Sequence, residues 1–545
     1  MDFTPGATTG LYRAMTGAAA PYATARRGAV TVAPGLPRDA SVLVLGAGVA
    51  GLTAAYELLS AGVERCRVVE AQPRAGGRNF TARTGTVIRE THGSETWAHT
   101  CAFDEGLYLN LGPGRIPHHH RRVLRYCREL AVALEVYVME TAANRVHATA
   151  GLGGEPLPNR RVTHDTRGHI AERLARSLLE NGLPPLDAQR RALCDLLRVF
   201  GDLDGDFRYR GSTRAGYRGP MGMYDPWEDP EPAPPLGLER LLASRFWSET
   251  MFYQPQEYLW QPTLFQPVGG MDRVVRGFVN ALRERWGPER VQLDSPVTGI
   301  EALRDGRVRV TWRNGPPGGR VVDHVLCSIP LPVLSRSVAL EGFPAPYREA
   351  IEHVRFAPTC KVGWQAEERF WESDREQIFG GISYTDHLIT QIWYPSNDWF
   401  AARGTLTGAY NYEEDAEALG AMSWEQRLLA AREGARELHP ERWTDEAVPL
   451  EKGLSIAWHR VPFQRGGWAD WRVGNARDTE MYRRLLEPHG GFHVLGDQVS
   501  PLPGWMEGAM MSAEWVLGQL DGTQPRSVPL VTRVPDSRAL TRGLG

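Results

Sequence analysis

Cysteine, net charge and long apolar runs are all scarce in this chain of 545 residues. The six cysteines are scattered without a CxxC pair, which argues against both a zinc site and a disulfide framework. Adjacent histidines cannot all converge on one ion, so His118–His120 predicts a solvated helix start and no metal site. A formal net charge of −3 argues against nucleic acid as an electrostatic partner. No segment reaches the roughly 18 apolar residues that span a bilayer, and no export signal opens the chain. We therefore expect a cytoplasmic protein without a membrane partner.

What the chain does contain is a glycine-rich motif within Ser41–Arg78. A short apolar run leads into GAGVAG, a helix-forming stretch and a second apolar pair. Gly46 permits a tight bend, Gly48 lets the backbone approach a pyrophosphate, and Gly51 lets helix and strand pack closely. Glu70, nineteen residues after Gly51, can accept hydrogen bonds from a ribose. The segment predicts a βαβ unit that holds an adenine dinucleotide at a helix N-terminus.

A second glycine pair follows this unit, in the sequence AGGR of Ala75–Arg78. It would allow another close backbone approach and then present a guanidinium suited to phosphate or to an anionic flavin edge. Strand, GxGxxG, helix, acid and GGR together resemble the flavin amine oxidase family, which binds FAD rather than NAD. Some members attach FAD covalently through a cysteine near the C-terminal flavin motif. This chain has no cysteine after Cys360, so the resemblance implies noncovalent FAD.

Further motifs extend the resemblance over most of the chain. Gly269–Asp272 is similar to the GGMD turn of the family, and the segment around Val297 resembles the one whose backbone meets the adenine. Gly496, Asp497 and Gly504–Ala509 resemble the closing motif, whose helix begins beside the flavin and would stabilise its negative charge on reduction. The family usually has Glu where Asp497 stands; the shorter carboxylate could still accept a hydrogen bond through water. The residues that the resemblance assigns to FAD are Gly46, Gly48, Ala50, Gly51, Glu70, Ala71, Gly77, Arg78, Gly112, Pro113, Gly114, Arg115, Val297, Gly496, Asp497, Gly504, Trp505 and Met506.

Two motifs narrow the substrate class. The segment Gly112–Pro117, GPGRIP, is similar to the GPMR-[LI]-P stretch of L-amino acid oxidases, whose arginine binds the substrate α-carboxylate. Arg115 suits that role, because a planar guanidinium pairs with a carboxylate bidentately. Gly114 replaces a methionine beside the flavin, so we expect looser local packing with carboxylate binding retained. Tyr410 resembles the tyrosine that gives the carboxylate a second hydrogen bond. Simple amine and polyamine oxidases have no carboxylate to hold, so this pair favours an α-amino acid.

Three more residues take roles from the resemblance. Lys361 is a single lysine among apolar neighbours in a strand pattern, and its burial would be costly without a partner. The family lysine at this position holds a water against flavin N5, for reoxidation or imine hydrolysis; alternatively, Lys361 reaches solvent. Trp505 would flank the substrate side of the isoalloxazine, and Gly504 would accept from the substrate amine. The resemblance therefore implies Lys361 and Trp505 as catalytic residues and Gly504 as a substrate contact.

The function that the resemblance implies is FAD-dependent oxidation of an L-amino acid. A hydride would pass from Cα to flavin N5, and the imino acid would hydrolyse to a 2-oxo acid and ammonia, with O2 reduced to H2O2. A flavin amino acid 2-monooxygenase is an alternative, since Gln266–Asp272 and Trp505–Ala509 also resemble the tryptophan 2-monooxygenase branch. A monoamine or polyamine oxidase and a noncatalytic flavoprotein are further alternatives. Side-chain preference is open, although the aromatic residues of 245–265 point to an apolar or aromatic side chain.

The predicted fold is α/β: a discontinuous Rossmann-like FAD-binding domain, a mixed-sheet substrate domain and an inserted helical domain. More than one compact unit is expected at this length, from a rough prior of 100–200 residues per domain. Apolar spacing also predicts helix over 121–139 and a strand over 290–300. The predicted ranges are 38–90, 258–345 and 485–522 for FAD binding; 91–160 and 346–484 for the substrate; 161–257 for the helical domain, a plausible homodimer contact; 1–37 for an N-terminal arm; and 523–545 for a tail.

Overall fold

The computed structural model describes residues 36–521 apart from 182–186, 219–230, 259, 262 and 473. The tail prediction and nearly all of the N-terminal arm prediction lie outside these residues.

Strands in the described part of the chain form a five-stranded parallel sheet, a seven-stranded mixed sheet, a four-stranded sheet and three strand pairs. In chain order they are β1 (Ser41–Leu45), β2 (Arg65–Val69), β3 (Thr81–Ala82), β4 (Val87–His92), β5 (Glu95–Thr100), β6 (Leu109–Asn110), β7 (Leu134–Val138), β8 (Arg145–His147), β9 (Leu157–Pro158), β10 (Thr263–Pro267), β11 (Val291–Gln292), β12 (Val297–Ala302), β13 (Val308–Trp312), β14 (Arg320–Val322), β15 (His324–Cys327), β16 (Ala339–Glu341), β17 (Thr359–Ala366), β18 (Ile382–Thr385), β19 (Gln391–Trp393), β20 (Gly404–Tyr412), β21 (Gly453–Ala457) and β22 (Phe492–Val494).

Helices cover both faces of the parallel sheet and one side of the mixed sheet. The α-helices are α1 (Val49–Ser60), α2 (Arg121–Glu129), α3 (Asn159–Asn181), α4 (Asp187–Gly201), α5 (Leu238–Ser244), α6 (Phe246–Glu249), α7 (Arg273–Trp286), α8 (Leu331–Ser337), α9 (Ala345–His353), α10 (Glu413–Ala421), α11 (Trp424–Leu438), α12 (Ala476–Leu486) and α13 (Met506–Asp521). Within the described ranges, no helix is both long and apolar enough to cross a membrane.

The parallel sheet has the strand order β11-β2-β1-β15-β22, which confirms the predicted α/β class. Successive side chains of a strand point to opposite faces, and β1 shows this directly. Val42 and Val44 join an apolar cluster with α1, α7 and α13, whereas Leu43 and Leu45 join one with α8, α9 and α12. Burial on both faces explains why β1 is apolar along nearly its whole length.

The carboxyl edge of this sheet collects residues from distant parts of the chain. Gly46 follows β1, Glu70 follows β2, Ser328 follows β15 and Gly496 lies two residues beyond β22. Ligands of doubly wound sheets bind at this edge, where the strand order reverses. The topology therefore brings the glycine-rich turn together with the closing motif.

The mixed sheet has the order β21-β17-β20-β19-β18-β8-β9, with β18 and β8 parallel and the other pairs antiparallel. β17 is buried along its whole length. Its Lys361 is paired in register with Tyr410 of β20. Two residues that are 49 positions apart in sequence are therefore direct neighbours across one strand pair.

Two sequence predictions of secondary structure are wrong. The helix predicted over 121–139 ends at Glu129, because Ala131 has a left-handed φ of 53° and β7 then pairs with β10. The strand predicted over 290–300 is two strands in different sheets, β11 and β12, separated by a turn at Asp294 with φ 52°. In both segments the apolar spacing indicates which residues are buried. It does not indicate the chain reversal that divides each segment, because packing decides that reversal.

Candidate active site

Two adjoining cavities lie at the carboxyl edge of the parallel sheet. The first has a volume of about 330 Å³ and contains the glycine-rich turn. The second, of about 190 Å³, lies toward the mixed sheet. Pro113, Gly504 and Trp505 line both, so these residues form the boundary between the two cavities.

The glycine-rich turn leaves room for a ligand only where the sequence pattern predicts it. Gly46 has a φ of +100°, a conformation that favours glycine. A Cβ at Gly51 would lie 2.1 Å from the carbonyl oxygen of Gly46, so helix and strand pack too closely for a side chain. A Cβ at Gly48 would meet no described atom within 4 Å, and Gly48 lines the first cavity. The N-terminus of α1 begins there, with unpaired backbone N–H groups that favour a phosphate.

Glu70 stands at the first cavity beside Ala71 and Val297. Its carboxylate accepts hydrogen bonds from the backbone N–H groups of Ala47 (2.8 Å) and Gln72 (2.9 Å). Burial raises the pKa of Glu70, and the two hydrogen bonds act in the opposite direction. A carboxylate has about four acceptor sites, so capacity remains for a ribose diol.

At another wall of the cavity Asp497 joins two other predicted residues. Its carboxylate accepts from the guanidinium of Arg78 and, at 2.9 Å, from the backbone N–H of Gly504. Arg78 also donates to the carbonyl oxygen of Gly467. Asp497 therefore fixes the approach to α13, whose N-terminus faces the cavity with Met506 in its lining. A glycine cradle, a buried acid and this second helix N-terminus fit a dinucleotide with an electron-accepting ring.

Most of the residues assigned to the cofactor line the first cavity. They are Gly46, Gly48, Ala50, Glu70, Ala71, Gly77, Arg78, Pro113, Val297, Gly496, Asp497, Gly504, Trp505 and Met506. Gly51 lines neither cavity, and Gly112, Gly114 and Arg115 line the second cavity instead. A Cβ at Gly112 would lie 1.8 Å from the carbonyl oxygen of Arg78, so this glycine is needed for the contact between the two segments.

Arg115 is a buried cation that lines the second cavity. Its side chain is 5% exposed, and its Nε and Nη1 have no hydrogen-bond partner among the described residues. The guanidinium carbon lies 4.1 Å from the ring centre of Trp260 and 4.3 Å from that of Trp393. A buried cation without a paired anion is costly. The arrangement is therefore suited to a ligand that supplies a carboxylate to this guanidinium.

Tyr410 and Lys361 lie beside this arginine. Tyr410 is half-buried, and burial raises the pKa of its hydroxyl, which therefore remains a hydrogen-bond donor. Lys361 lines neither cavity; its Nζ donates to the carbonyl oxygens of Gly112 (2.6 Å) and Asn110 (3.3 Å). Burial, followed by the charge of Arg115, lowers the pKa of Lys361 well below its usual value. The alternative in which Lys361 reaches solvent is wrong, because the side chain is 2% exposed.

The expected loosening around Gly114 is absent. A Cβ at Gly114 would lie 2.6 Å from the indole of Trp393, so this indole occupies the space that a side chain there would need. Trp393 also lies 4.5 Å from the Nζ of Lys361 and 5.0 Å from the ring of Tyr410, both measured to ring centres. Sequence reasoning missed Trp393, since nothing in the alternating pattern of its strand sets it apart from a core residue.

The histidine run also differs from expectation. His120 is 1% exposed, its Nε2 has no partner among the described residues, and its ring is perpendicular to that of Trp505 at 4.8 Å. Burial, followed by His119 and His118, lowers the pKa of His120 well below its usual value. The solvated helix start is therefore wrong for His120. The described residues contain no group of three or more His, Cys, Asp or Glu that could hold a metal.

Comparisons with known proteins identify the family of the chain. A family model described as flavin containing amine oxidoreductase matches residues 49–515. The chain is 28% identical over 497 residues to flavin-dependent L-tryptophan oxidase RebO of Lentzea aerocolonigenes, covering 87% of this chain and 96% of the relative. It is 26% identical over 500 residues to an L-amino-acid oxidase of Siganus canaliculatus, covering 89% and 86%. The solved structure of wild-type putrescine oxidase bound to putrescine matches with a TM-score of 0.57 at 19% identity, covering 89% of this chain and 99% of that one. At that identity the likeness concerns the fold alone.

Proposed function

Because the chain belongs to the flavin-containing amine oxidoreductases, we propose that it is an FAD-dependent L-amino acid oxidase. The proposed reaction converts an L-amino acid, water and O2 to the 2-oxo acid, ammonia and hydrogen peroxide. Bound FAD supplies the acceptor for the two electrons that leave the substrate. Relatives named L-tryptophan oxidase and L-amino-acid oxidase support this substrate class at 28% and 26% identity.

The observation that carries the proposal is that two buried guanidinium nitrogens of Arg115 have no hydrogen-bond partner in the described part of the chain. Nε and Nη1 of this side chain are available to an α-carboxylate in the cavity that adjoins the glycine cradle. An amine substrate has no anion to offer there, and the positive charge would repel its ammonium group. The site therefore favours an amino acid over a simple amine.

Other residues of the chain complete the proposed binding mode. Tyr410 donates a second hydrogen bond to the carboxylate, and the carbonyl of Gly504 accepts one from the neutral substrate amine. Trp505, at the boundary of both cavities, limits the position of the Cα atom. Lys361 holds the Asn110–Gly112 backbone that precedes Arg115. In the proposed reaction it also orders a water for imine hydrolysis or reoxidation. The work of these residues is orientation and exclusion of bulk water.

An amino acid 2-monooxygenase is the second candidate, because it would bind the same carboxylate with the same arginine. It would release CO2 and an amide with one carbon fewer. Incubating the holoenzyme with L-amino acids and identifying the products by mass spectrometry separates the two reactions. A 2-oxo acid with stoichiometric peroxide supports the oxidase, and the shortened amide contradicts it.

The test of carboxylate recognition is Arg115→Ala in the FAD-loaded protein. We expect kcat/KM for L-amino acids to fall about 10²–10⁴-fold, because the variant loses two charge-assisted hydrogen bonds of about 1.5–3 kcal/mol each. The matching amines without a carboxylate should lose nothing. Peroxide formation measured on each amino acid and its amine gives the comparison.

Arg210→Ala is the matched control, because Arg210 is a surface arginine with a 74% exposed side chain. It should retain full activity on both substrate types. Unchanged turnover of amino acids by Arg115→Ala would favour the monoamine oxidase alternative. Failure of every L-amino acid to bleach the flavin band of the anaerobic wild-type holoenzyme would exclude the oxidase itself.

A further inference from the structure

One wall of the second cavity is a continuous series of aromatic rings. Ring centres are 5.0 Å apart for Trp393 and Tyr410, 5.1 Å for Tyr410 and Tyr412, and 5.6 Å for Tyr412 and Trp468. The interplanar angles of 88°, 82° and 62° make each contact edge-to-face. Edge-to-face packing leaves alternate ring faces and edges for a further aromatic ring to contact.

A second aromatic group lines the same cavity, and Arg115 touches both. Trp260 and Trp505 are in contact, with ring centres 5.1 Å apart. The guanidinium of Arg115 lies 4.1 Å from Trp260 in this group and 4.3 Å from Trp393 in the first. A ligand whose carboxylate is bound by Arg115 therefore extends its side chain from the point where the two aromatic groups meet.

Two acidic residues of this cavity share one arginine partner. Glu413 and Asp470 lie at its rim, with side chains 37% and 18% exposed, and both accept hydrogen bonds from Arg355, at 2.7 and 3.1 Å. The one guanidinium compensates part of their charge, and solvent at the rim screens it further. Glu257 is the remaining acidic residue of the lining, and it also interacts with another group of the protein.

We propose that the second cavity selects L-amino acids with a planar aromatic side chain. The inference rests on the proposed function and adds the side-chain class. It follows from two aromatic groups that converge on the carboxylate-binding arginine, together with two rim carboxylates that are already engaged by Arg355. An aromatic side chain gains ring contacts there that an aliphatic one of equal size cannot make.

The test compares L-phenylalanine with L-cyclohexylalanine, which keeps the carbon skeleton and loses aromaticity. We expect kcat/KM of the holoenzyme to be about tenfold or more higher for L-phenylalanine, with L-leucine and L-lysine lower still. Equal values for the two cyclic substrates would overturn the proposal in favour of apolar volume alone. Preference for L-lysine would overturn it in favour of the acidic rim.

Binding without turnover separates this inference from the proposed reaction. Phenylacetate and cyclohexylacetate carry the carboxylate but no amine, and each perturbs the flavin absorption spectrum of the holoenzyme if it occupies this cavity. Tighter binding of phenylacetate supports aromatic selection even if no amino acid is oxidised. Equal dissociation constants, or no perturbation by either, would contradict it.

Trp468→Leu tests the wall directly at its far end from Arg115. The ratio of kcat/KM for L-phenylalanine over L-cyclohexylalanine should fall toward one, a change that a general loss of stability would not produce. Trp399→Leu is the control, since Trp399 is 48% exposed and does not line the cavity, and its ratio should be unchanged. Tyr412→Leu gives the same readout if Trp468→Leu does not fold, and an unchanged ratio in the folded variant contradicts the proposal.

Discussion

Two glycines of the same turn are required for different reasons, one for backbone packing and one for ligand space. Single substitutions should distinguish these two roles. A Cβ at Gly51 collides with the backbone of Gly46 at 2.1 Å, whereas a Cβ at Gly48 projects into open space at the first cavity. Gly51→Ala should therefore lower the melting temperature of the protein. Gly48→Ala should fold normally but lose FAD affinity, because its methyl group occupies the approach to the pyrophosphate.

The measurements are thermal unfolding of each variant and FAD content after gel filtration, with Gly205→Ala as a surface control. Gly205 is exposed and, like Gly48, has open space around its Cβ position and no positive φ, but it lies outside both cavities. Wild-type FAD affinity in Gly48→Ala would contradict the assigned approach.

Two residues of this site show what the sequence can and cannot predict. Arg115 could be singled out because its GPGRIP segment resembles the carboxylate-binding stretch of L-amino acid oxidases, and its role as a substrate ligand stays a prediction. Trp393, which lies 4.3 Å from its guanidinium, was not predictable. A tryptophan in an alternating strand is ordinary, and its contact with Gly114 exists only after β19 and the 112–115 loop have come together.

At the level of elements, a buried ion pair links the β4–β5 hairpin to the mixed sheet and α11. Arg427 donates to both carboxylate oxygens of Glu90, at 2.9 and 3.0 Å, and the side chains are 0% and 1% exposed. Arg427 also donates to Ser455, whose hydroxyl donates to the backbone carbonyl of Lys361. The pair therefore supports the strand that carries Lys361.

Breaking one side of this pair should destabilise the protein more than removing both. Glu90→Leu alone should lower the free energy of unfolding by about 3–5 kcal/mol, since it leaves a buried guanidinium without an anion. The double variant Glu90→Leu, Arg427→Met should recover a large part of that loss. Urea unfolding of wild type, both single variants and the double variant measures the coupling; additive losses would contradict it.

Secondary structure was predicted correctly where one sequence pattern covers a single strand or helix. The strand before Gly46 is one continuous apolar run, and the helix after it follows the GxGxxG turn, as predicted. The prediction failed at 121–139 and 290–300, where a left-handed residue divides an apolar stretch. Such a reversal is stabilised by contacts distant in sequence, so local propensity alone does not indicate it.

The whole molecule presents an apolar surface on the α3–α4 helix pair, within the region predicted as a homodimer contact. Val199, Leu196, Ile170 and Phe200 are 67%, 62%, 54% and 43% exposed. Grouped exposed apolar side chains favour association. We expect a dimer in sedimentation velocity, with Leu196→Glu shifting it toward monomer.

Leu429→Glu is the control for self-association, because Leu429 is 44% exposed on α11 and lies outside that region. It should leave the sedimentation coefficient unchanged. A monomeric wild type at micromolar concentration would contradict the expected dimer. The domain boundaries themselves stay predictions of the sequence.

The amino-acid sequence by itself determined the α/β class, the flavin family and the FAD cradle, because these depend on short motifs whose glycines and acid act through the local backbone. Only the tertiary structure decided that Nε and Nη1 of Arg115 are buried with no hydrogen-bond partner among the described residues, that Lys361 donates to the 110–112 backbone, and that two aromatic groups meet at the arginine. These features join residues hundreds of positions apart. Their chemistry arises from burial and mutual distance, which exist only once the sheets have assembled.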